Sequence, residues 1–379
     1  MAIFRKGKTM RFAVQQSSML RVLQQVVNAV ERKQVMQILG NVLLEVSDNI
    51  LRITGGDGEI EVSATLPLEI VYVEGATTIP AKKLFDITRS LASDIILEFS
   101  KETTHCQVLA GSSRFALATR EAGDYPKLQD LDAPHKIELE SQGKLKRMLE
   151  RTSFSMGVQD VRSFLNGMLL EFDDNSAVAV ATDGHRLSLN RQDVEFDISS
   201  SGKQQIILPR KAVAELIRLL GDGNSTSYLC FGESHFRLEV GNLRFTTKLI
   251  SGRFPDYQKV IPKNLETSCV IAVDALKQAL SRSAIMSNDK YKGVRFALEP
   301  NQLTLLARNQ EQEESRDELV VDYSGDGLTV SFNISYIIDI LNVIDDEWIR
   351  ITFANSNSSA LLEEVSANDS LYIIMPMKL

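Results

Sequence analysis

Four features recur in the same order three times along this chain, and a period that long constrains the fold more than any local signal does. The first is an amphipathic helical pattern: SSMLRVLQQVVNAVE from Ser17, GKLKRMLERTSFSM from Gly143 and DALKQALSRSAIMS from Asp274, with starts 126 and 131 residues apart. The second is a strand that runs into a turn, in LRITGGDGEI, VAVATDGHRL and LTLLARNQEQ, where Asp57, Asp183 and Asn309 are spaced 126 and 126. The third is an extended segment feeding a second helix at Pro80, Pro209 and Asn333, 129 and 124 apart. Proline is expected in the first helical turn, where its missing N–H has no intrahelical partner. The fourth closes each copy with SRFALATRE, LRFTTKLIS and SLYIIMPMK, setting Phe115, Phe245 and Tyr372 at intervals of 130 and 127. Between these landmarks, β-branched and alternating runs such as LRITGGDGEIEVSAT and CVIAV read as antiparallel strands.

A copy of about 125 residues is a domain in size, not a solenoid repeat. The expected fold is α+β: three tandem similar domains, each with two helices packed on antiparallel sheets, with boundaries near Ala133–Pro134 and Ile261–Pro262. The length of 379 residues, too great for one core, agrees with this. A content of 44% apolar and 24% charged residues excludes disordered and fibrous classes. No apolar run approaches the roughly 18 to 20 residues of a membrane-spanning helix. The basic start MAIFRKGKT leads into no apolar leader segment, so a cytoplasmic protein is expected. Cys106, Cys230 and Cys269 are odd in number and far apart, and read as buried apolar side chains, not as a disulfide framework or metal site.

A net charge of −8 argues at first against a nucleic-acid partner. The placement of charge argues the other way. Lys and Arg outnumber acids on five of the six predicted helices, and only the last, 335–344, is acidic, through Asp339. The helices together carry +10; taking +10 from −8 leaves −18 for strands and loops. Helix propensity and solubility alone favour surface Lys and Arg, but they do not explain why the acids lie elsewhere. A ring lined by helices and walled by sheets does. At roughly 10 Å per helix, six helices give a circumference of about 60 Å and a bore near 10 Å, narrower than the ~12 Å major groove alone. Twelve helices from two chains give about 120 Å and a bore near 30 Å, enough for a duplex with a layer of water. Basic groups at that distance touch phosphates, so binding is independent of sequence and sensitive to salt.

Enzyme chemistry finds little support. The chain has no GxxxxGK[ST] phosphate loop, no HExxH and no paired metal-ligand pattern, and His185 beside Asp183 lacks a nucleophile in a GxSxG elbow. The Gly and Asp of GGDGE and TDGHR are what tight turns need. No catalytic residue, metal or cofactor is assigned. At the other end of the chain, Met375, Pro376 and Met377 form an adaptable apolar surface where polar, frayed residues are ordinary.

The landmarks MRFAV (from Met10), ILGN (Ile38–Asn41), GATTIPAKKLFDI (Gly75–Ile87), QDVRSFLNGM (Gln159–Met168), ATDGHRL (Ala181–Leu187), GRFPDY (Gly252–Tyr257) and the terminal YIIMPMKL resemble, in order and over residues 10–379, the bacterial replicative sliding clamps, the beta subunits of DNA polymerase III. The resemblance implies a head-to-tail homodimeric ring of six domains around duplex DNA, with domains at 10–133, 134–261 and 262–379 behind an N-terminal extension over residues 1–9. It implies a non-catalytic processivity factor whose partners are the replicative polymerase, the clamp loader, translesion polymerases and repair proteins, bound through short peptides, with no membrane partner.

Carried over residue by residue, the resemblance implies a peptide-binding cleft of Leu165, Thr182, Gly184, His185, Arg186, Leu187, Pro255, Val260, Asn333, Tyr336, Ser359, Ile373, Met375, Pro376 and Met377. Burial of two or three Leu or Phe anchors supplies affinity there, at roughly 1.5 to 3 kcal/mol each. For DNA the matching positions are Lys33, Lys82, Arg147, Gln159, Arg162, Phe164, Arg210 and Lys211. At the dimer seam Lys83, Ile87, Phe115 and Leu117 of one chain face Ile285, Met286 and the acidic Glu311, Glu313 and Glu314 of the other. Without the resemblance that acidic run reads as a solvated loop. Lys33, Lys259 and Lys378 stand where Arg is frequent in the family, and Ser163 where some members have an aromatic. The rival reading is a repeat-domain protein-interaction scaffold that binds peptides and never surrounds DNA.

Overall fold

The computed structural model describes residues 10–30, 36–128, 135–139, 141–173, 176–193, 203–223, 225–263, 267–287 and 292–378. Six α-helices occur among them, two per repeat: α1 (Gln16–Val26), α2 (Ala81–Ser90), α3 (Gln142–Thr152), α4 (Arg210–Leu219), α5 (Val273–Ile285) and α6 (Ile334–Leu341). Each follows a strand and buries one stripe. α1 turns Met19, Val22, Leu23 and Val26 inward, the i, i+3, i+4, i+7 pattern of a core-facing helix. In α5 the buried stripe is Val273, Leu276, Ala279, Leu280 and Ser283.

Pro80 and Pro209 correct one expectation. Neither lies in the first helical turn. Each is the last residue of a strand, Gly75–Pro80 and Gln204–Pro209, and Pro80 is the N-cap of α2 with extended backbone (φ −55°, ψ 112°). Both strands lie at sheet edges, where a missing N–H interrupts no ladder. Asn333, the third member of the set, caps α6 by accepting from Ser335 N at 2.9 Å.

The strands form four antiparallel sheets, and the repeats share two of them. The first sheet runs Ile70–Val73, Arg11–Gln15, Ile96–Lys101, His105–Ala110, Ser113–Ala118. The second, of eight strands, joins His135–Leu139, Ser227–Phe231, His235–Val240 and Leu243–Lys248 to Ile60–Pro67, Ile50–Gly56, Asn41–Ser47 and Gly75–Pro80. The third, also of eight, joins Gln204–Pro209, Gly167–Asp173, Ser176–Thr182 and Arg186–Asp193 to Ser370–Ile374, Ala360–Glu364, Trp348–Phe353 and Thr267–Ala272. The fourth runs Glu314–Val320, Gln302–Arg308, Gly293–Glu299, Leu328–Asn333.

Two of the closing landmarks make the joins. Phe245 pairs with Val62 across the first and second repeats, and Tyr372 with Ser188 across the second and third. Sharing sheets divides the chain into two compact units, Met1–Gln142 with Arg218–Leu249, and Gly143–Ile217 with Ile250–Leu379. In the latter, Leu280, Phe296, Phe332, Ile337 and Phe353 belong to one buried cluster.

Candidate functional site

The C-terminal strand Ser370–Ile374 runs antiparallel to Arg186–Asp193, with Arg186 opposite Ile374 and Leu187 opposite Ile373. Pairing continues past the strand's end. Met375 N donates to His185 O at 2.9 Å, and Met377 N donates to Ser331 O at 2.7 Å. The tail thus leaves the third sheet and reaches the edge strand Leu328–Asn333 of the fourth.

The turn before Arg186 is fixed from within. Asp183 Oδ1 accepts from His185 N at 2.9 Å and Arg186 N at 3.0 Å. Thr182 Oγ1 accepts from Gly184 N at 3.1 Å and donates to Arg186 O at 2.6 Å. Gly184 has φ +89°, which glycine adopts without steric cost.

Arg186 ties this turn to two helical segments. Its Nε donates to Asp183 Oδ2 at 3.1 Å, Nη1 to Asp339 Oδ2 of α6 at 2.6 Å, and Nη2 to Phe154 O, just past α3, at 2.6 Å. The guanidinium also lies 4.5 Å from the Tyr336 ring centroid and 5.4 Å from that of Phe154. A planar fork serving three acceptors between two rings is chemistry that lysine cannot reproduce. Desolvation, followed by the nearby Asp183 charge, pushes the Tyr336 phenol above its ordinary range.

The expected cleft residues fall into three layers. Leu187 and Ile373 are buried in a cluster with Leu169, Val180, Ile207, Phe254 and Tyr257, and Leu165 is buried as well. These three supply a floor. Thr182, Gly184, Arg186, Asn333, Tyr336, Ser359, Pro376 and Met377 are half-buried, while His185, Pro255, Val260 and Met375 are exposed. Met375 and Val260 are 39% and 38% exposed. Together they make a surface able to take apolar side chains. Asp339 and the Phe154 carbonyl, which hold Arg186, were missed in the sequence because each lies more than 30 residues from it.

Among the residues expected to meet DNA, Lys33 lies outside the described residues. Gln159 and Arg162 sit on a loop clasped by Asn166, whose Oδ1 accepts from Asp160 N at 2.8 Å and whose Nδ2 donates to Asp160 O at 2.8 Å. Gln159 has φ +56°. Arg162 donates to Asp160 through Nε and Nη2, both at 3.0 Å, and this pairing holds the Asp160 carboxyl down at about 2. Val158 and Val161, on the same loop, are 70% and 99% exposed. An Arg162 nitrogen stands 3.3 Å from where a Cβ on Gly184 would lie, so the loop reaches the cleft turn. Phe164 packs against the cleft's floor cluster.

Lys82 and Lys211 are exposed on α2 and α4, and the exposed Arg210 donates to Met156 O at 2.9 Å. Arg147 is engaged within the chain, 2.5 Å from Asp345 and 3.5 Å from Asp369. Its neighbour Arg151, counted with the basic helix charges, is buried against Glu364 at 2.9 Å and Asp345 at 2.7 Å. The positive charge of α3 is therefore partly spent inside the protein.

At the expected seam, Lys83 is exposed and Ile87 and Phe115 half-buried, while Leu117 is buried already within the chain. Ile285 is 78% exposed and Met286 36%. Glu311, Glu313 and Glu314 are exposed, with Glu313 N donating to Asn309 Oδ1 at 2.9 Å. Phe115 lies on Ser113–Ala118, at an edge of the first sheet, and Glu314 on Glu314–Val320, at an edge of the fourth.

Comparison with known proteins matches residues 10–129 to the N-terminal domain of the DNA polymerase III beta subunit, 139–256 to its central domain and 258–378 to its C-terminal domain. The chain is 44% identical over 370 residues to the beta sliding clamp of Pseudomonas putida, covering 98% of this chain and all of that protein. A crystal structure of the DNA polymerase sliding clamp from Pseudomonas aeruginosa with ligand is similar at a TM-score of 0.95 and 41% identity, covering 98% of this chain and 100% of that one. The sliding clamp of the same organism bound to griselimycin gives 0.94 at 41% identity, with the same coverage.

Proposed function

The chain belongs to the DNA polymerase III beta subunit family, the sliding clamps, and from that premise we propose that two copies close head to tail into a ring that surrounds duplex DNA without reading its sequence. The ring tethers the replicative polymerase and other DNA-processing proteins through the cleft beside the C-terminal tail. It acts as a processivity factor, not as a catalyst, and works in the cytoplasm. Its domains run 10–133, 134–261 and 262–379.

The observation that carries this reading is an unfinished pattern. The second repeat joins the first through Leu243–Lys248 on Ile60–Pro67, and the third joins the second through Ser370–Ile374 on Arg186–Asp193. The corresponding strands left at sheet edges are Ser113–Ala118 of the first repeat and Glu314–Val320 of the third. An unpaired edge invites another strand, and pairing these two between chains repeats the same join a third time.

The register follows from the hairpins. Ala64, Asn190 and Asp317 lie opposite Ile53, Ala179 and Leu305, each of which stands four residues before its turn landmark Asp57, Asp183 or Asn309. Val62 and Ser188 therefore correspond to Ser315, and Phe115 of one protomer meets Ser315 of the other. Arg114 then opposes Arg316, an unfavourable like-charge pair that is offset by Glu314 and Glu318 on its diagonals, Glu318 already holding Arg316 at 2.8 Å within the chain. Exposed Ile285 on α5 adds apolar area to the same region.

The test of closure is oxidative cross-linking. Ala116→Cys combined with Glu314→Cys places thiols on directly opposed residues, whose Cβ atoms lie about 4.5–5.5 Å apart in an antiparallel pair. The expected product is a covalent dimer bridged at both seams. Cross-linking only at a shifted pair such as Ala118 with Glu314, or a native mass of one chain, contradicts the proposed seam.

A further inference from the structure

One cavity near the cleft shares Met377 with it, and Glu314 and Ser315 with the expected seam. It has a volume of about 500 Å³ and lies at one end of the fourth sheet, between Gly293–Glu299, Gln302–Arg308 and the start of Glu314–Val320, with Met377 and Lys378 of the tail along one side. The strand register explains the enclosure. Met377 N bonds to Ser331 O, Ser331 is opposite Arg295, and Arg295 is opposite Leu306. The tail therefore adds one rung to the sheet edge and sets Met377, Arg295 and Leu306 along a single row.

The lining is mixed in a directed way. Leu306, Ala307 and Met377 are apolar, and Arg295, Arg308 and Lys378 bring three cations against the single carboxylate of Glu314. Several arginines elsewhere pair with carboxylates, Arg147 with Asp345, Arg151 with Glu364, Arg186 with Asp339 and Arg282 with Asp317. No described carboxylate is within ion-pair distance of Arg295, Arg308 or Lys378. Three cations with no described carboxylate at ion-pair distance, over an apolar floor, describe a site complementary to an anionic chain that also carries apolar atoms.

We propose that this cavity receives acidic residues flanking the apolar anchors of a peptide seated in the neighbouring cleft. The inference rests on the cleft reading, since Met377 is common to both. The volume lies in the range of sites that hold several side chains, well beyond what one inorganic anion fills. Acidic flanks would then rank partner peptides that carry the same anchors.

The test uses the full-length dimer and three synthetic fluorescent peptides with identical Leu and Phe anchors: one with a neutral flank, one with three Asp or Glu residues before the anchors, one with them after. At low ionic strength one acidic flank should raise affinity by about three- to tenfold, the scale of one or two half-exposed ion pairs. The gain should shrink with added salt. It should vanish in Arg295→Ser/Arg308→Ser and halve in Arg308→Ser alone, while the neutral-flank peptide binds all three proteins alike and their melting temperatures agree.

Equal affinity of neutral and acidic peptides for the wild-type protein overturns the cavity proposal and leaves the cleft standing. Failure of every peptide to bind overturns both. Weaker binding of the neutral-flank peptide to the variants also overturns the proposal, because the arginines would then act on the cleft itself.

Discussion

Replacing Arg186 with Lys should loosen the cleft and lower stability together. The guanidinium serves Asp183 at 3.1 Å, Asp339 at 2.6 Å and Phe154 O at 2.6 Å, and its side chain is only 11% exposed. An ammonium on that stem reaches one of the three. Leaving the largely buried Asp183 oxygen or the Phe154 carbonyl unsatisfied costs about 1–3 kcal/mol each. The Asp339 contact, to a carboxylate more than a third exposed, is discounted to below about 1 kcal/mol. Arg186→Lys should thus destabilise by about 2–3 kcal/mol, and Arg186→Ala by about 3–5 kcal/mol, the scale of breaking a buried pair. Trp348, the one tryptophan, lies in the same sheet as Arg186 and reports urea unfolding by fluorescence. Because His185 O holds Met375 N at 2.9 Å, the same variants should weaken binding of a Leu/Phe-anchored peptide by at least tenfold. A loss below 1 kcal/mol with unchanged peptide affinity would refute the reasoning.

Three further predictions concern charges held within the chain. Arg162 pairing depresses Asp160 to about 2, so the contact is complete above the ordinary aspartate range and is lost as pH falls through about 2; carboxyl NMR should give a midpoint near that value, and one near 4 contradicts the clasp. Asp160→Asn, which frees Arg162, should tighten non-specific duplex binding and steepen its salt slope by about one. Glu364→Ala leaves the buried Arg151 with Asp345 as its carboxylate partner and removes the acceptor of Asp345 N and Asp346 N, and should cost about 3–5 kcal/mol in urea unfolding, whereas Arg151→Met with Glu364→Leu should recover only the share due to the ion pair; an additive double variant argues against a coupled pair.

The helices and the threefold order were legible because both are written in local spacing. Each repeat's first helix begins one residue ahead of its expected start, at Gln16, Gln142 and Val273. Strand partnership was not legible. Nothing near Phe245 specifies that it pairs with Val62, or near Tyr372 that it pairs with Ser188, since these contacts are decided by packing of distant segments. The charge pattern was legible only in part for the same reason: periodicity tells which face of α3 carries Arg147 and Arg151, but not that Asp345 and Glu364 wait opposite them. Pro80 and Pro209 marked the helix starts correctly but sit one residue earlier, where strand geometry governs. The Asp160–Arg162 contact was within reach, being two residues apart with Asn166 close behind. The cavity beside Met377 was not, because its lining comes from three strands and a tail brought together only by sheet register.

The central claim is encirclement, and retention on DNA of different topology measures it directly. After loading onto nicked circular duplex, the dimer should stay bound through a high-salt wash that removes contacts made only to phosphates, and should be released when the circle is cut once. Equal retention on circular and linear DNA, or salt-induced release from both, would contradict a closed ring.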